Sequence, residues 1–344
     1  MPRKNESAFV FRSLKLARGL SLAFGRAAKR GSIAFCIAAS GMGKTTLAEH
    51  IARIIFGPKE GWEPGKMPVL LVGADNPDRG FFLSKSLTKD LLTEVHDPFR
   101  SSIAEILNWD IDEDLKCRLV AAVSDIGVLD SSETDMREAF INLAKLLEVK
   151  YIIVDEANLL VLTQRTRSPT DYVESLRRLG DKIGCAILLL GTVDMLELLG
   201  YSGQVNRRKL RIHLDRIRCD DQAGRDEFID FLRSIEEDFD LPRGILESKA
   251  SEIYQATYGI PGELVCWIER AELQQIATES EIASWEHFEA QCLLPVEQER
   301  MRWEADLIER VMHGHVLTEK DKKEIEKRRK NRMKARRIAA GEPA

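Results

Sequence analysis

Two clusters of residues have the types and spacing that chemistry requires. The first is Ala38-Ala39-Ser40-Gly41-Met42-Gly43-Lys44-Thr45. A glycine-rich turn opening a helix offers backbone N–H groups to an anionic phosphate; its lysine reaches the β- and γ-phosphates and its threonine hydroxyl completes a Mg²⁺ shell. The segment reads as a P-loop, with Ser40, Gly41, Met42, Gly43, Lys44, Thr45 and Thr46 around bound ATP. Ala38 stands where the usual G-x-x-x-x-G-K-[ST] pattern has its first glycine, and Gly43-Lys44-Thr45 is intact. The second cluster ends the apolar run Tyr151-Ile152-Ile153-Val154 with Asp155-Glu156. Two carboxylates at the C-terminal end of a parallel strand form a Walker B pattern. Asp155 would join Thr45 at Mg²⁺, and Glu156 would polarise or deprotonate the attacking water.

Two further positions follow from the same chemistry. Thr192 closes the apolar run Ala186–Gly191, where a hydroxyl would touch the γ-phosphate or the water, and is a sensor 1 candidate. In Asn206-Arg207-Arg208-Lys209, Arg207 or Arg208 would reach the nucleotide of a neighbouring subunit, since a guanidinium stays charged and binds phosphate oxygens as a fork.

These residues need strands to carry them. Ile33–Ile37 reads as the strand before the P-loop, and Leu47, Ile51, Ile54 and Ile55 mark an amphipathic helix over Thr46–Phe56. Val69–Gly73, the Walker B run, Ala186–Thr192 and Leu210–Leu214 supply four more strands, with helices from Pro77 onward, over Glu133–Leu147 and over about Thr170–Lys182 between them. Strands alternating with helices predict an α/β fold: a mainly parallel five-stranded sheet flanked by helices. Before it, residues 8–30 interleave apolar and basic side chains as an amphipathic helix or helix pair. After it, helices over Asp226–Phe239, Leu246–Tyr258 and Pro261–Ala277, and from Trp285, read as a small helical lid. The expected divisions are a helical segment at 1–30, a nucleotide-binding α/β subdomain at 31–220, the lid at 221–295 and a helical, basic tail at 296–344.

Composition sets limits on the rest. The 344 residues, 44% hydrophobic and 31% charged, suit a globular chain. No apolar run approaches the roughly 18 residues of a membrane span, and Met1-Pro2-Arg3-Lys4-Asn5 leads into an amphipathic stretch, so a cytoplasmic protein without a membrane partner is expected. Six scattered cysteines without C-x-x-C spacing suggest buried thiols. The net charge of −5 argues against a generic nucleic-acid coat protein, yet Lys320–Arg337 holds eleven Lys/Arg against three Asp/Glu. That run is either a solvated terminus or a surface for nucleic acid or an acidic partner.

The order of P-loop, Walker B, Thr-ended strand, arginine turn and helical lid resembles an AAA+ P-loop NTPase. Three stretches narrow it further: Asp155-Glu156-Ala157-Asn158-Leu159-Leu160, Tyr172–Leu179, and Leu190-Gly191-Thr192-Val193-Asp194-Met195-Leu196. Together with Phe231-Leu232, Leu241-Pro242 and Gly259-Ile260-Pro261-Gly262-Glu263-Leu264-Val265, they are similar to the TniB/TnsC transposition ATPases over roughly residues 8–290. Glu263 stands where many AAA+ lids carry a sensor 2 arginine, which the TniB/TnsC family also tends to lack.

The resemblance implies an ATP- and Mg²⁺-dependent ATPase, stimulated by DNA or by assembly, that regulates transposition in a role like that of MuB. It implies a homo-oligomeric ring or helical filament on duplex DNA in a bacterial cell, associated with the nucleoid when on DNA. Such an assembly would recruit or activate a transposase, answer to a target-selection protein such as a TniQ-like factor, and come apart on hydrolysis. Arg79, Lys85 and Lys89 would line the DNA channel, with Arg165 and Arg167 as a further contact; Lys85 and Lys89, four apart, share a helix face. Contacts of this kind meet phosphates and tolerate sequence. Two other classes fit the same motifs: a nucleotide-gated protein adaptor with little hydrolysis, and a replication-initiator or helicase-loader ATPase. The loader reading calls for a DNA-reading domain after the lid, for which little sequence follows residue 295.

Overall fold

The computed structural model describes residues 11–27, 29–74, 82–96, 108–124, 131–162, 168–199 and 209–339. Five strands form one sheet: β1 (Ile33–Ile37), β2 (Val69–Gly73), β3 (Tyr151–Asp155), β4 (Ala186–Gly191) and β5 (Lys209–His213), in the order β2-β3-β4-β1-β5. The pairs β1–β4, β2–β3 and β3–β4 are parallel. Parallel strands covered on both faces must be apolar throughout. Every residue of β1 and β4 is buried, as are Tyr151 to Val154 of β3. At the edge, β5 alternates instead and carries Lys209 and the exposed Arg211, charges that discourage edge-to-edge pairing.

The helices are α1 (Arg12–Ala27), α2 (Lys44–Phe56), α3 (Ser84–His96), α4 (Glu113–Ser124), α5 (Glu133–Leu146) and α6 (Pro169–Ile183), followed by α7 (Gln222–Asp238), α8 (Ala250–Thr257), α9 (Pro261–Ala277), α10 (Trp285–Ala290), α11 (Pro295–Met312) and α12 (Glu319–Ala339). Thus α3 begins at Ser84 rather than at Pro77, which lies outside the described residues. From Trp285 the chain forms three helices, divided by Pro295, the expected end of the lid, and by Gly314, whose φ is 103°. Local signals place the boundaries around the candidate site. Ser132 caps α5 by accepting from the Asp135 N–H at 3.3 Å. Ser168 caps α6, Pro169 takes its first turn, and Gly184 ends it at φ 96°, releasing the chain into β4.

The described chain forms two compact units. One comprises residues 20–37, 44–212 and 315–344; the other comprises residues 1–19, 38–43 and 213–314. The first is organised on the sheet. Tyr151 is fully buried there, with Phe24 of α1 against it at 6.0 Å between ring centroids. Tyr172 of α6 meets Phe82 edge-on at 4.7 Å.

In the second unit, Trp267 is 2% exposed and its indole N–H donates to the Phe288 carbonyl at 2.7 Å, while Trp285 stacks on Phe288. The buried carboxylate of Glu236 accepts from the N–H groups of Gly244, Leu246 and Glu247 at 2.8, 2.7 and 3.2 Å. Those three donors satisfy a charge that burial would otherwise penalise, and they fix the loop after Leu241-Pro242.

All six cysteines are free, and only Cys36 and Cys185 are buried; Cys117 and Cys266 are exposed, and Cys219 and Cys292 half-buried. The expectation of buried thiols therefore holds for the two in or beside the sheet. Among the described residues, no helix is long and apolar enough to cross a membrane.

Candidate nucleotide site

Asp155 ends β3, level with Gly73 of β2, and is held through both carboxylate oxygens. Oδ2 accepts from the Thr45 hydroxyl in the first turn of α2, and Oδ1 accepts from the backbone N–H of Glu156 at 2.8 Å. Strand β4 lies between β3 and the P-loop strand, so the approach is made by the first turn of α2 and not by adjacent strands. The two oxygen donors brought together by Thr45 and Asp155 are the set a hard cation such as Mg²⁺ takes.

Lys44, the first residue of α2, is only 8% exposed. Cys36, near the end of β1, registers the charges around it. Burial pushes its thiol up to about 12, with Lys44 pulling it down and Asp155 pushing it further up.

Glu156 leaves the strand in the left-handed region at φ 51° and is exposed. A non-glycine residue pays roughly 1 kcal/mol for that conformation. The turn starts the short 3₁₀ helix Ala157–Val161. The side-chain amide of Asn158 donates to Glu156 Oε2 at 3.3 Å. Sequence reasoning gave Asn158 no role, although its spacing two residues after Glu156 is a signal for this contact.

At the end of β4, Gly191 lies level with Ile37, and a Cβ added there would sit 2.9 Å from the Asn158 backbone nitrogen and 2.2 Å from Met195 Sδ. The turn carrying Glu156 therefore rests against the strand that ends in Thr192, itself half-buried.

In the second unit, P-loop residues meet the helices expected as a lid. Gly41 and Gly43 adopt φ of 76° and 75°, a region L side chains rarely enter. The Gly262 N–H, in the first turn of α9, donates to the Gly41 carbonyl at 2.8 Å; a Cβ on Gly262 would come within 2.4 Å of that oxygen. Next to this contact is Glu263, whose carboxylate lies 3.4 Å from where a Cβ on Gly41 would be. Its pKa is raised by burial, with Arg270 acting in the opposite direction and Glu297 in the same one. A carboxylate, not a guanidinium, thus faces this stretch of the loop.

Of the expected DNA-contacting residues, Lys85 and Lys89 are exposed on α3, and Lys85 Nζ donates to the Ser131 carbonyl at 2.9 Å. Arg79, Arg165, Arg167, Arg207 and Arg208 lie outside the described residues.

A family model described as an AAA domain matches residues 27–199, from the end of α1 through the segment after β4. This chain belongs to the AAA domain family. The match spans the P-loop, Asp155-Glu156 and Thr192, so the residues brought together above are those of an AAA domain. No curated protein matches the chain.

Solved structures similar to this AAA protein include the ORC2 protein of Aeropyrum pernix in its ADP form. The identity is 15% and the TM-score 0.52, covering 84% of this chain and 70% of that one. The same protein in ADPNP–ADP complexes gives 15% identity and a TM-score of 0.50, over 85% and 69%. A Walker-type ATPase of Pyrococcus abyssi gives 14% identity and a TM-score of 0.51, over 90% and 78%. At these identities the likeness concerns the fold: an AAA+ P-loop NTPase sheet with a helical C-terminal region.

Proposed function

We propose that this AAA protein is an ATPase that assembles on duplex DNA and regulates transposition, with nucleotide state setting assembly and disassembly. The observation that carries the enzymatic part is the arrangement of Thr45, Asp155 and Glu156, which puts two oxygen donors together and a carboxylate immediately beyond them. Lys44 binds the β- and γ-phosphates. Thr45 and Asp155 hold Mg²⁺, which supplies charge neutralisation on phosphate oxygens when bound. Glu156 takes a proton from the attacking water, and Asn158 holds its carboxylate in orientation.

Thr192 senses the γ-phosphate, and Arg207 or Arg208 acts on the neighbouring subunit's nucleotide, so that hydrolysis depends on assembly. The transposition reading is supported by the similarity to TniB/TnsC proteins in the stretches at 155–160, 172–179 and 190–196. On that reading the partners are a transposase and a TniQ-like target selector, and the assembly is a ring or filament on DNA of any sequence.

The test is steady-state ATP turnover with and without duplex DNA of unrelated sequences, together with strand transfer by an integrase-type transposase if a neighbouring gene encodes one. Stimulation of both supports the proposal. Turnover indifferent to DNA, with nucleotide-dependent protein binding, would indicate a nucleotide-gated adaptor instead.

A further inference from the structure

We propose that His213, Asp215 and His313 form a binding site for a divalent transition-metal ion, with Zn²⁺ the best match. His213 ends β5 and Asp215 follows two residues later. The intervening Leu214 is 1% exposed and turns into the core, so alternation along the extended chain puts His213 and Asp215 on one face. His313, about a hundred residues away, caps the C-terminus of α11. All three belong to the same compact unit.

The three ligand atoms lie within 4.8 Å of one another. His213 Nε2 is 3.7 Å from Asp215 Oδ1, and His313 Nε2 is 3.9 Å from Asp215 Oδ2, with the two rings nearly perpendicular at 5.8 Å. Those separations are too long for hydrogen bonds. A tetrahedral metal with bonds of about 2.0–2.1 Å holds its donors roughly 3.3–3.4 Å apart, so these side chains would close by about half an ångström on binding.

Two imidazoles and one carboxylate are a donor set for Zn²⁺ with a fourth position open, whereas Mg²⁺ and Ca²⁺ prefer oxygen alone. The carboxylate of Glu309, one helical turn before His313, stands beside Asp215 and two arginines: Arg216 Nε is 2.7 Å from its Oε1 and Arg218 lies 3.8 Å from its Oε2, while the Asp215 carboxyl acts on it from the other direction. The arginines offset part of the charge that Glu309 brings, and Asp215 faces the imidazoles as well as Glu309. The Asp215 backbone N–H donates to Ser13 Oγ at 2.6 Å, fixing the segment.

Beside the cluster is a cavity of about 10 Å³ whose lining includes His213, Arg216 and Glu309 as well as Ala39 and Met42 of the P-loop segment. That volume suits a single water. A metal there would tie the end of β5 to the end of α11 at the wall formed by Ala39 and Met42, so it would stiffen a surface that supports the P-loop.

The test uses the full-length chain stripped of metal. Co²⁺ is titrated in while the visible absorption of a tetrahedral cobalt centre is followed, Zn²⁺ is then used to displace it, and thermal unfolding is recorded with and without Zn²⁺. The expected result is saturation at one equivalent, full displacement by Zn²⁺ and a higher Tm. His313→Ala and Asp215→Asn, verified as folded by circular dichroism, should each weaken binding by about tenfold or more and remove the Tm gain. His315→Ala, two residues beyond the proposed ligand, should change neither. No saturable cobalt spectrum, unaltered affinity in both folded ligand variants, or loss of binding in His315→Ala would overturn the site.

Discussion

Arg332 of α12 places its guanidinium on the carboxylate of Asp194, a residue 4% exposed and two positions after Thr192. One helical turn earlier, Arg329 pairs with Glu197 at 3.2 Å, both side chains being 17% exposed. The basic C-terminal run is therefore not wholly solvated, because two of its arginines hold the segment that follows β4. Arg332→Ala would strip the guanidinium from a buried carboxylate and should destabilise the protein by about 3 kcal/mol in urea unfolding. Asp194→Asn in that background should restore part of the loss. Lys330→Ala, whose side chain is 71% exposed and pairs with Glu326 on the helix surface, should cost less than about 0.5 kcal/mol.

Lys44→Ala should abolish ATP binding by calorimetry while leaving the fold intact, since the loop loses the charge that meets the β- and γ-phosphates. Loading onto DNA should fail with it. Wild-type affinity in this variant would remove the P-loop assignment.

Glu263 makes binding depend on pH in a direction set by its surroundings. Burial raises its pKa, so its contribution to stability is present below the ordinary carboxylate range and is lost as pH rises through its folded-state value. Glu263→Gln should therefore flatten the stability–pH curve across that window. Its charge also opposes an anionic phosphate near Gly41, with Arg270 offsetting part of it. The variant should bind ATP roughly three- to tenfold more tightly at pH 8, and the gain should shrink as pH falls and the wild-type carboxyl is protonated. An ATP affinity unchanged by the substitution at pH 8 would show that Glu263 does not face the phosphates.

The double substitution Lys85→Ala/Lys89→Ala should weaken binding to unrelated duplexes by similar factors and lower the salt slope by about one per lost phosphate contact. Fluorescence anisotropy over a salt series measures both. If the double variant keeps wild-type affinity and slope while deletion of Lys320–Ala344 removes the salt dependence, the tail holds the DNA.

Much of the sheet is legible in the sequence because its strands are continuous apolar runs with chemistry at their ends. Tyr151–Asp155 and Ala186–Gly191 are delimited by Asp155-Glu156 and by Gly191-Thr192, so the position and purpose of each strand can be read together. The contact of Thr45 with Asp155 is implied once both motifs share a fold. What the sequence does not announce are contacts made by backbone or by charge at long range. Gly262 donating to the Gly41 carbonyl depends on two absent side chains, and Arg332 on Asp194 is one of many arginines in a run that looks uniformly solvated. His213 and His313 are likewise invisible as a pair, since only the packing of α11 brings them to one aspartate.

If Asp155-Glu156 and the P-loop hydrolyse ATP, Glu156→Gln should separate binding from chemistry when ATP binding and single-turnover hydrolysis are measured on the same preparation. The amide still accepts a hydrogen bond from water but cannot take its proton. ATP affinity should stay within about twofold of wild type, while hydrolysis falls by about 10²-fold or more and complexes on duplex DNA live longer. Hydrolysis at the wild-type rate with Glu156→Gln would remove Glu156 as the base.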